Sequence, residues 1–270
     1  GAVLNIGLDP LFIFIFDMGI SGAAIATIIS QFVSFCLLLA GIRISRCIPI
    51  HPKNVRLSKE RLQEIIGGGL PSLFRQGLGS IATMTLNIAA NPFGDAAIAA
   101  MSVVGRIMMF AKSALIGFGQ GFQPVCGFNY GARKYNRVRE AFWFCVKLST
   151  AALFLLSVAG MLLSGHLIGI FRNDPDVIRI GTVALRFQCL TFVLNGWITM
   201  NNMMMQTMGK TLPATILAAS RQGIFFTPAL LILPQFLGLT GIQSAQAASD
   251  LCSAAVAVIL NRKVMQSLRS

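Results

Sequence analysis

The feature that most constrains this sequence is a series of apolar runs long enough to cross a membrane, separated by short basic connections. Residues 96–117 and 141–170 are two such runs. The connection between them carries one acid and four basic residues, namely Glu140, Arg133, Lys134, Arg137 and Arg139. Because a helix of about 20 apolar residues crosses the hydrocarbon core, this pattern predicts a helical hairpin with its connection on the cytoplasmic side.

Composition excludes several classes of protein. With 55% hydrophobic and 11% charged residues and a mean hydropathy of +0.72, the chain does not resemble a soluble domain. The net charge of +13 would also fit a nucleic-acid binder, but the basic residues gather in alternate loops between apolar runs. The two histidines and six cysteines form no metal-ligand pattern. We therefore expect no nucleic-acid partner, no metal and no cofactor.

The predicted fold class is all-α and integral to the membrane, a polytopic helical bundle. Residues 1–16 are too short for a full span, and we interpret them as the end of a helix. Residues 45–64 form a long basic connection whose second half is predicted to be an amphipathic helix on the membrane surface. The predicted spans are residues 19–44, 65–91, 96–125, 141–170, 178–208, 212–236 and 241–261.

The distribution of Lys and Arg predicts the orientation of the chain. Fourteen lie on one set of helix ends: six in residues 43–61, four in 133–139, one at Lys210 and three after residue 261. The opposite ends carry only Arg172 and Arg179. By the positive-inside rule, the C-terminus and the 43–64 connection are predicted to be cytoplasmic, in a multi-pass protein of the cell membrane.

Residues 19–30 and 238–249 look like two copies of one segment, offset by 219 positions. The identical pairs are Gly19/Gly238, Gly22/Gly241, Ala26/Ala245 and Ser30/Ser249. Because Gly-x-x-Gly is common at helix starts, chance similarity is the alternative. A true repeat predicts a two-lobed transporter-like chain. Residues 1–44 would then be the last helices of a first lobe, 45–64 a cytoplasmic connection and 65–270 a second six-helix lobe, and about 170 residues would precede them.

Three predicted spans carry polar stripes at helical spacing. They comprise Gln188, Thr191, Asn195, Thr199, Asn202 and Gln206 on one span, Gln76, Ser80, Thr83, Asn87 and Asn91 on a second, and Ser102, Arg106, Met109, Ser113 and Gln120 on a third. Amides and arginines are costly against lipid, so these faces are predicted to surround a wet cavity. Polar contacts between helices are the alternative. Methionines at 200, 203, 204, 205 and 208 would suit a cavity that accepts varied apolar molecules.

Charges inside the predicted spans are few. The basic ones are Arg75, Arg106, Lys112, Arg186 and Arg221, and the acidic candidates for ion coupling are Asp250 and Asp9. Asp250 can pair structurally with Arg221 or can couple transport to protons. The spans 65–91 and 178–208 contain no acid. The residue that couples transport to an ion is therefore not evident from these helices.

Several motifs resemble the multidrug and toxic compound extrusion (MATE) family. They are residues 5–14 (NIGLDPLFIF), 19–24 (GISGAA), 121–132 (GFQPVCGFNYGA) and 220–228 (SRQGIFFTP). The resemblance implies two six-helix lobes around a central cleft, which exchange drugs for cations by alternating access. It also implies that this chain covers the end of the first lobe and all of the second. Coupling acids that some members carry on the helices equivalent to 65–91 and 178–208 are not matched.

The functional prediction is a secondary multidrug exporter that acts by H+ or Na+/drug antiport, and that works as a monomer when full length. Its cargo is expected to be small amphipathic or cationic organic compounds. The predicted contacts are Gln76, Asn87, Arg106, Met109, Asn195, Thr199, Asn202 and Gln206. The alternative is a lipid-linked precursor flippase of the same superfamily, favoured by Arg106, Lys112 and Arg221. An enzyme is not expected, because it would need a nucleophile, metal or acid pair at membrane depth, and the sequence shows no His/Asp cluster and no Ser-x-x-Lys motif.

Overall fold

The computed structural model describes residues 1–45 and 58–266, and the regular structure in these two ranges is helical. The α-helices are α1 Ala2–Pro10, α2 Gly19–Ser45, α3 Lys59–Ala90, α4 Asp95–Gly131, α5 Tyr135–Leu162, α6 Ser164–Phe171, α7 Pro175–Phe192, α8 Leu194–Thr207, α9 Thr211–Ala219, α10 Thr227–Leu237 and α11 Leu239–Gln266. Two π-helical segments, Leu11–Ile15 after α1 and Ser220–Phe226 between α9 and α10, and one 3₁₀ turn, Asn91–Phe93 between α3 and α4, accompany them.

Most of these helices can cross a membrane. Helices α2, α4, α5 and α11 and the continuous segment Thr211–Leu237 are long and apolar enough, and α7 and α8 together make a sixth candidate. Helix α3 has 32 residues but is not among them, because polar side chains interrupt its apolar sequence. The polytopic all-helical fold predicted from the sequence is thereby confirmed.

Three predicted spans are interrupted in the structure. Residues 141–170 divide into α5 and α6 at Leu163, and residues 178–208 bend by 53° where α7 meets α8. At that bend the Thr191 hydroxyl donates to the Gln188 carbonyl, 3.4 Å away. Such a bond competes with the regular helix ladder and favours a bend. Residues 212–236 contain the π-helical segment Ser220–Phe226, a wide turn that the apolar pattern does not reveal.

The chain divides into two compact units, residues 1–59 and 60–270. The first unit is a pair of helices, α1 with its π-helical extension and α2. The second unit contains α3 to α11. Of the predicted cytoplasmic connection 45–64, residues 46–57 lie outside the described residues, and Lys59 already belongs to α3.

The repeated glycines have the same geometry in both units. Gly19 and Gly238 begin the repeat with φ of +53° and +55°, a region that side chains with a Cβ rarely adopt. A Cβ on Gly22 would lie 2.8 Å from the Phe12 carbonyl oxygen, and one on Gly241 would lie 2.5 Å from the Leu233 carbonyl oxygen. Each glycine therefore lets its helix pass close to the backbone of the segment before it.

The other two repeat positions also match. Ala26 and Ala245 are fully buried, and Ser30 and Ser249 are buried in their respective units. The two copies thus share the backbone geometry of their glycines and the burial of their alanine and serine. This agreement supports a true internal repeat rather than chance similarity.

The core of the second unit lies among α4, α5, α7, α8 and α11. Phe142 packs edge-on against Trp197, with ring centroids 5.9 Å apart, and joins α5 to α8. The methionines predicted to offer a soft binding surface, Met200, Met203, Met204, Met205 and Met208, are instead buried in this core. Their flexible side chains fill the space between helices.

Candidate functional site

A cavity of about 240 Å³ lies between α3, α4, α8, α9 and the π-helical segment of the second unit. Its polar lining consists of Arg75, Gln76, Lys112, Asn195, Thr199, Asn202, Arg221 and Gln222. Its apolar lining consists of Leu115, Ile116, Ile198, Leu217 and Ala218. We name this space the inner cavity. Helix α3 forms one wall of it and otherwise packs sparsely against the other helices of the second unit.

An ion pair lies against one wall of the inner cavity. Arg221 Nε donates to Asp250 Oδ1 at 2.7 Å, and the Asp250 side chain is only 3% exposed. Asn195 Nδ2 donates to the second carboxylate oxygen at 3.0 Å, and Gln246 Nε2 donates to the first at 3.0 Å. The expected structural pairing of Asp250 with Arg221 is thus confirmed. This network joins α8, α11 and the π-helical segment.

The π-helical segment is also held through its main chain. The Ser249 hydroxyl donates to the Arg221 carbonyl at 2.5 Å, and the Thr227 hydroxyl donates to the Gln222 carbonyl at 3.0 Å. In a π-helical turn these carbonyls are not bonded in the regular α-helical pattern. The two hydroxyls therefore satisfy them, and they fix the turn that directs Arg221 and Gln222 to the inner cavity.

Several polar groups at the cavity have bonding capacity left over. Arg221 Nη2 and Asn195 Oδ1 are buried without a hydrogen-bond partner in the described chain. Lys112 and Arg75 are half-buried, and within residues 1–45 and 58–266 neither makes a hydrogen bond or an ion pair. Buried polar groups normally have partners, so an unused donor and an unused acceptor on residues that line a cavity point to a ligand or to water.

Four of the predicted contact residues line the inner cavity: Gln76, Asn195, Thr199 and Asn202. They come from two helices that are more than 100 positions apart in sequence. Asn202 also donates to the Ala214 carbonyl at 2.7 Å, which ties α8 to α9. Its amide therefore has a structural bond in addition to its place at the cavity.

The other four predicted contact residues do not line this cavity. Asn87 is exposed on α3, about 16 Å along the helix from Gln76 at 1.5 Å per residue. On α4, the face at the cavity carries Lys112, and Met109 and Arg106 are rotated from it by about 60° and 120°. Met109 is 71% exposed. The polar spacing on α4 therefore predicted one face of this helix, whereas a different face, which carries Lys112, lines the cavity.

Arg106 and Gln206 have other surroundings. Arg106 lines a separate cavity of about 450 Å³, together with Asp95 and Arg172. Gln206 Nε2 donates to the Ser72 hydroxyl at 3.1 Å and lies 3.4 Å from the Gly68 carbonyl. It thereby joins the end of α8 to α3. This is a polar contact between helices, the alternative interpretation of the polar stripes.

The two acids predicted for ion coupling differ in their surroundings. Asp250 is enclosed by the network around Arg221. Asp9 belongs to the first unit, is half-buried and accepts a bond of 3.0 Å from the Asn5 side chain. In the described residues, no three His, Cys, Asp or Glu side chains come together as they would to hold a metal ion.

Three residues of the inner cavity do not belong to the predicted polar stripes, but the sequence marks them in another way, as charged residues within apolar runs. Arg75, Lys112 and Arg221 stand out in the sequence as basic residues inside predicted spans, and all three line the inner cavity. The apolar lining residues have no such signal. Leu115 and Ile198, for example, cannot be distinguished from core residues by sequence.

Comparison with known proteins decides the family. A family model described as MatE matches residues 71–232. The chain belongs to the MatE family. The resemblance of the sequence motifs is thereby confirmed, and this member of the MatE family is a multi-pass membrane protein.

Similar proteins of this family have names that describe export. The chain is 30% identical to the multidrug export protein MepA of Staphylococcus aureus (strain MSSA476) over 95% of its own length and 57% of that protein. It is 31% identical to MepA of Staphylococcus saprophyticus over 96% of its length and 57% of that protein. These relatives are named as exporters and not as enzymes. The chain spans a little more than half the length of the curated relatives it matches.

Among solved structures, the fold is similar to one described as the outward-facing conformation of a multidrug resistance MATE family transporter of the MOP superfamily. The TM-score is 0.90 and the identity is 25%, over 100% of this chain and 61% of that one. The fold of this MatE chain is therefore similar to that of about three fifths of a MATE-family transporter.

Proposed function

We propose that this MatE chain belongs to a secondary transporter that exports small amphipathic organic compounds across the cell membrane by alternating access. The observation that carries the proposal is the inner cavity, a space among the helices whose largely apolar lining includes amide and basic side chains. Amides and basic side chains at such a depth are costly unless they meet water, a ligand or one another. The names of the relatives supply the class of cargo, and the cavity supplies a place to bind it.

The apolar part of the cavity suits such a cargo. Leu115, Ile116 and Ile198 offer a hydrophobic surface, and Thr199 and Asn202 offer hydrogen bonds next to it. Small-molecule sites typically combine an apolar lining with a few polar groups that fix the orientation of the ligand. A compound with an apolar body and one polar end would use both.

The coupling ion, H+ or Na+, is part of the same proposal. Asp250 is the acid nearest the inner cavity that the structure describes, and it is already compensated by Arg221, Asn195 and Gln246. For Asp250 to take up a proton or Na+, its bond with Arg221 must first open. Cargo and ion would then compete for the same network, and this competition would couple export of the cargo to uptake of the ion.

The orientation and assembly predicted from the sequence also belong to the proposal. The fourteen basic residues on one set of helix ends favour a cytoplasmic C-terminus. We propose that the complete protein acts as a monomer, because one cleft between two lobes suffices for transport in the two-lobed arrangement.

Export is tested with the complete gene expressed in a drug-sensitive bacterial host, with efflux of a fluorescent amphipathic dye as the measurement. Replacing Thr199 by Leu fills the cavity, and we expect efflux to fall about tenfold at equal expression, which corresponds to 1.4 kcal/mol. Thr83→Leu is the matched control. Thr83 is exposed on α3, bonds only to the Gly79 carbonyl of its own helix and does not line the cavity. Equal efflux by wild type and Thr199→Leu would contradict the proposed site.

Coupling is tested in vesicles that contain the purified complete protein. An imposed pH gradient or an imposed Na+ gradient, each without the other, should drive uptake of the dye. Uptake that needs neither gradient would contradict antiport.

The flippase alternative is weaker after the comparisons, because the relatives are named as multidrug exporters. Its three candidate cations are also not together. Lys112 and Arg221 line the inner cavity, whereas Arg106 lines a different one.

A further inference from the structure

The lining of the inner cavity has an unbalanced charge. Three basic side chains, Arg75, Lys112 and Arg221, contribute to it, and none of the lining residues is acidic. They come from three different elements, namely α3, α4 and the π-helical segment. This arrangement is the opposite of what a purely cationic cargo would need at this surface.

The one acid close to these cations does not balance them. Asp250 lies behind Arg221 and is 2% exposed. Its two oxygens accept three bonds, from Arg221, Asn195 and Gln246. The single negative charge of Asp250 is therefore already compensated by Arg221. Lys112 and Arg75 have no carboxylate within ion-pair distance in the described parts of the chain.

Unused donors mark the same place. Arg221 directs only Nε to Asp250, and its buried Nη2 has no partner among the described residues. A guanidinium can bind a planar oxyanion through parallel N–H groups while one of its other nitrogens is engaged. Together with the Lys112 ammonium, this leaves donors for both oxygens of a carboxylate.

The size of the cavity limits what enters it. At about 240 Å³ it is smaller than the roughly 300 Å³ at which drug-sized sites begin. It can hold one end of an amphipathic molecule, with Leu115, Ile116 and Ile198 against the adjoining apolar part. The space is therefore a subsite for a head group rather than for a whole drug.

We propose that the inner cavity binds the anionic group, a carboxylate or a phosphate, of an anionic or zwitterionic amphipathic compound. This inference deepens the proposed export function and rests on it. Lys112, Arg75 and Arg221 Nη2 bind the anion, and the Asp250 network keeps Arg221 in place. The three cations thus select the cargo by its negative end.

The experiment compares two dyes that differ in one charge, rhodamine B with its free carboxylate and the methyl ester of rhodamine B. Binding to the purified complete protein in phosphatidylcholine nanodiscs is measured by fluorescence anisotropy. We expect the carboxylate dye to bind about tenfold more tightly than the ester, the equivalent of one charge-assisted hydrogen bond. Equal binding, or tighter binding of the ester, would overturn the proposal.

Charge variants locate the effect. Lys112→Met and Arg75→Gln each remove one cation and should reduce the preference for the carboxylate dye to less than about threefold, while Lys112→Arg should keep it. The matched control is Lys147→Met, which removes an exposed lysine of α5 that does not line the cavity. Loss of the preference in Lys147→Met as large as in Lys112→Met would overturn the assignment to this cavity.

An anionic group can come from a dissolved compound or from a lipid. Nanodiscs that contain phosphatidylglycerol separate the two sources. If the lipid displaces rhodamine B, the head group is that of a lipid, and if it does not, the group belongs to a dissolved compound. Any displacement by the lipid must disappear in Lys112→Met, and displacement that persists there overturns the proposal.

Transport distinguishes this inference from the export proposal. If both dyes are exported and the ester is preferred, export stands and the anion subsite fails. If the carboxylate dye binds preferentially but neither dye is moved by any gradient, the subsite stands and export fails.

Discussion

The helix pairs α1–α2 and α10–α11 share their glycines but differ in their polar residues. Both repeats begin with a glycine at positive φ, and three positions later a second glycine touches the preceding backbone. At the offset of 219, however, Gln246 and Asp250 correspond to Thr27 and Gln31. The common part builds a tight helical hairpin. The part unique to the second copy builds the network beside the inner cavity.

This difference separates the residues that form the scaffold from the residues that give one copy its chemistry. Repeated positions are under the same steric demand in both hairpins, whatever the surroundings. Asp250 has its role only because Arg221, Asn195 and Gln246 surround it. A repeat can therefore identify the hairpin from sequence, while the network depends on partners up to 55 positions away.

The largest expected effect comes from Asp250→Ala. Removing the carboxylate leaves Arg221 as an uncompensated, mostly buried cation, and we expect a loss of about 3–5 kcal/mol in the free energy of unfolding. Thermal unfolding of the purified protein in detergent measures it. The matched change in the first hairpin, Gln31→Ala, alters an exposed side chain and should cost less than about 0.5 kcal/mol. Similar losses for both would show that the network is not what distinguishes the copies.

Next in size are Gly241→Ala and Gly22→Ala. In each case the new Cβ would meet main-chain atoms within 3 Å, which cannot move without shifting the neighbouring segment. We expect each change to cost about 1–3 kcal/mol. Hydrogen exchange should rise in α10–α11 for the first variant and in α1–α2 for the second. A change that leaves exchange in its own hairpin unaltered would contradict the close approach.

Gly238→Ala and Gly19→Ala should each lower the free energy of unfolding by about 1–2 kcal/mol, because a positive φ is unfavourable for alanine at both positions. No atom lies within 4 Å of a Cβ on Gly19, so its cost would be conformational alone. Replacement of Gly19 by Asn, which tolerates positive φ better, should restore part of the loss in thermal unfolding. If Asn is no better than Ala, backbone conformation is not the cause.

The smallest effect is also the sharpest contrast between the copies. Ser249 donates to the Arg221 carbonyl, whereas the hydroxyl of Ser30 is buried without a partner in the described chain. Ser249→Ala should cost about 1 kcal/mol, and Ser30→Ala should be neutral or slightly stabilising. Thermal unfolding of the two variants side by side tests this, and equal losses would contradict it.

Sequence reasoning gave the helical membrane fold, the hairpin glycines and the Asp250–Arg221 pair, because each leaves a local or chemically distinct signal. Hydropathy indicates a membrane span, and Gly-x-x-Gly indicates a helix that packs closely on a neighbouring backbone. Opposite charges within apolar runs indicate an ion pair. The break at Leu163 and the π-helical turn at Ser220–Phe226 left no such signal. The cavity face of α4 was also missed, since periodicity defines faces of a helix but not the neighbours that each face meets.

Two adjacent residues of α11, Ser249 and Asp250, hold Arg221 at both of its ends. The serine binds its main-chain carbonyl, and the aspartate binds its guanidinium. Rotation of the arginine side chain can release the guanidinium from Asp250, but it leaves the bond of Ser249 in place, because that bond is made to the backbone. Opening the ion pair therefore frees the charged end of Arg221 for another partner, while the π-helical segment stays attached to α11 through its main chain.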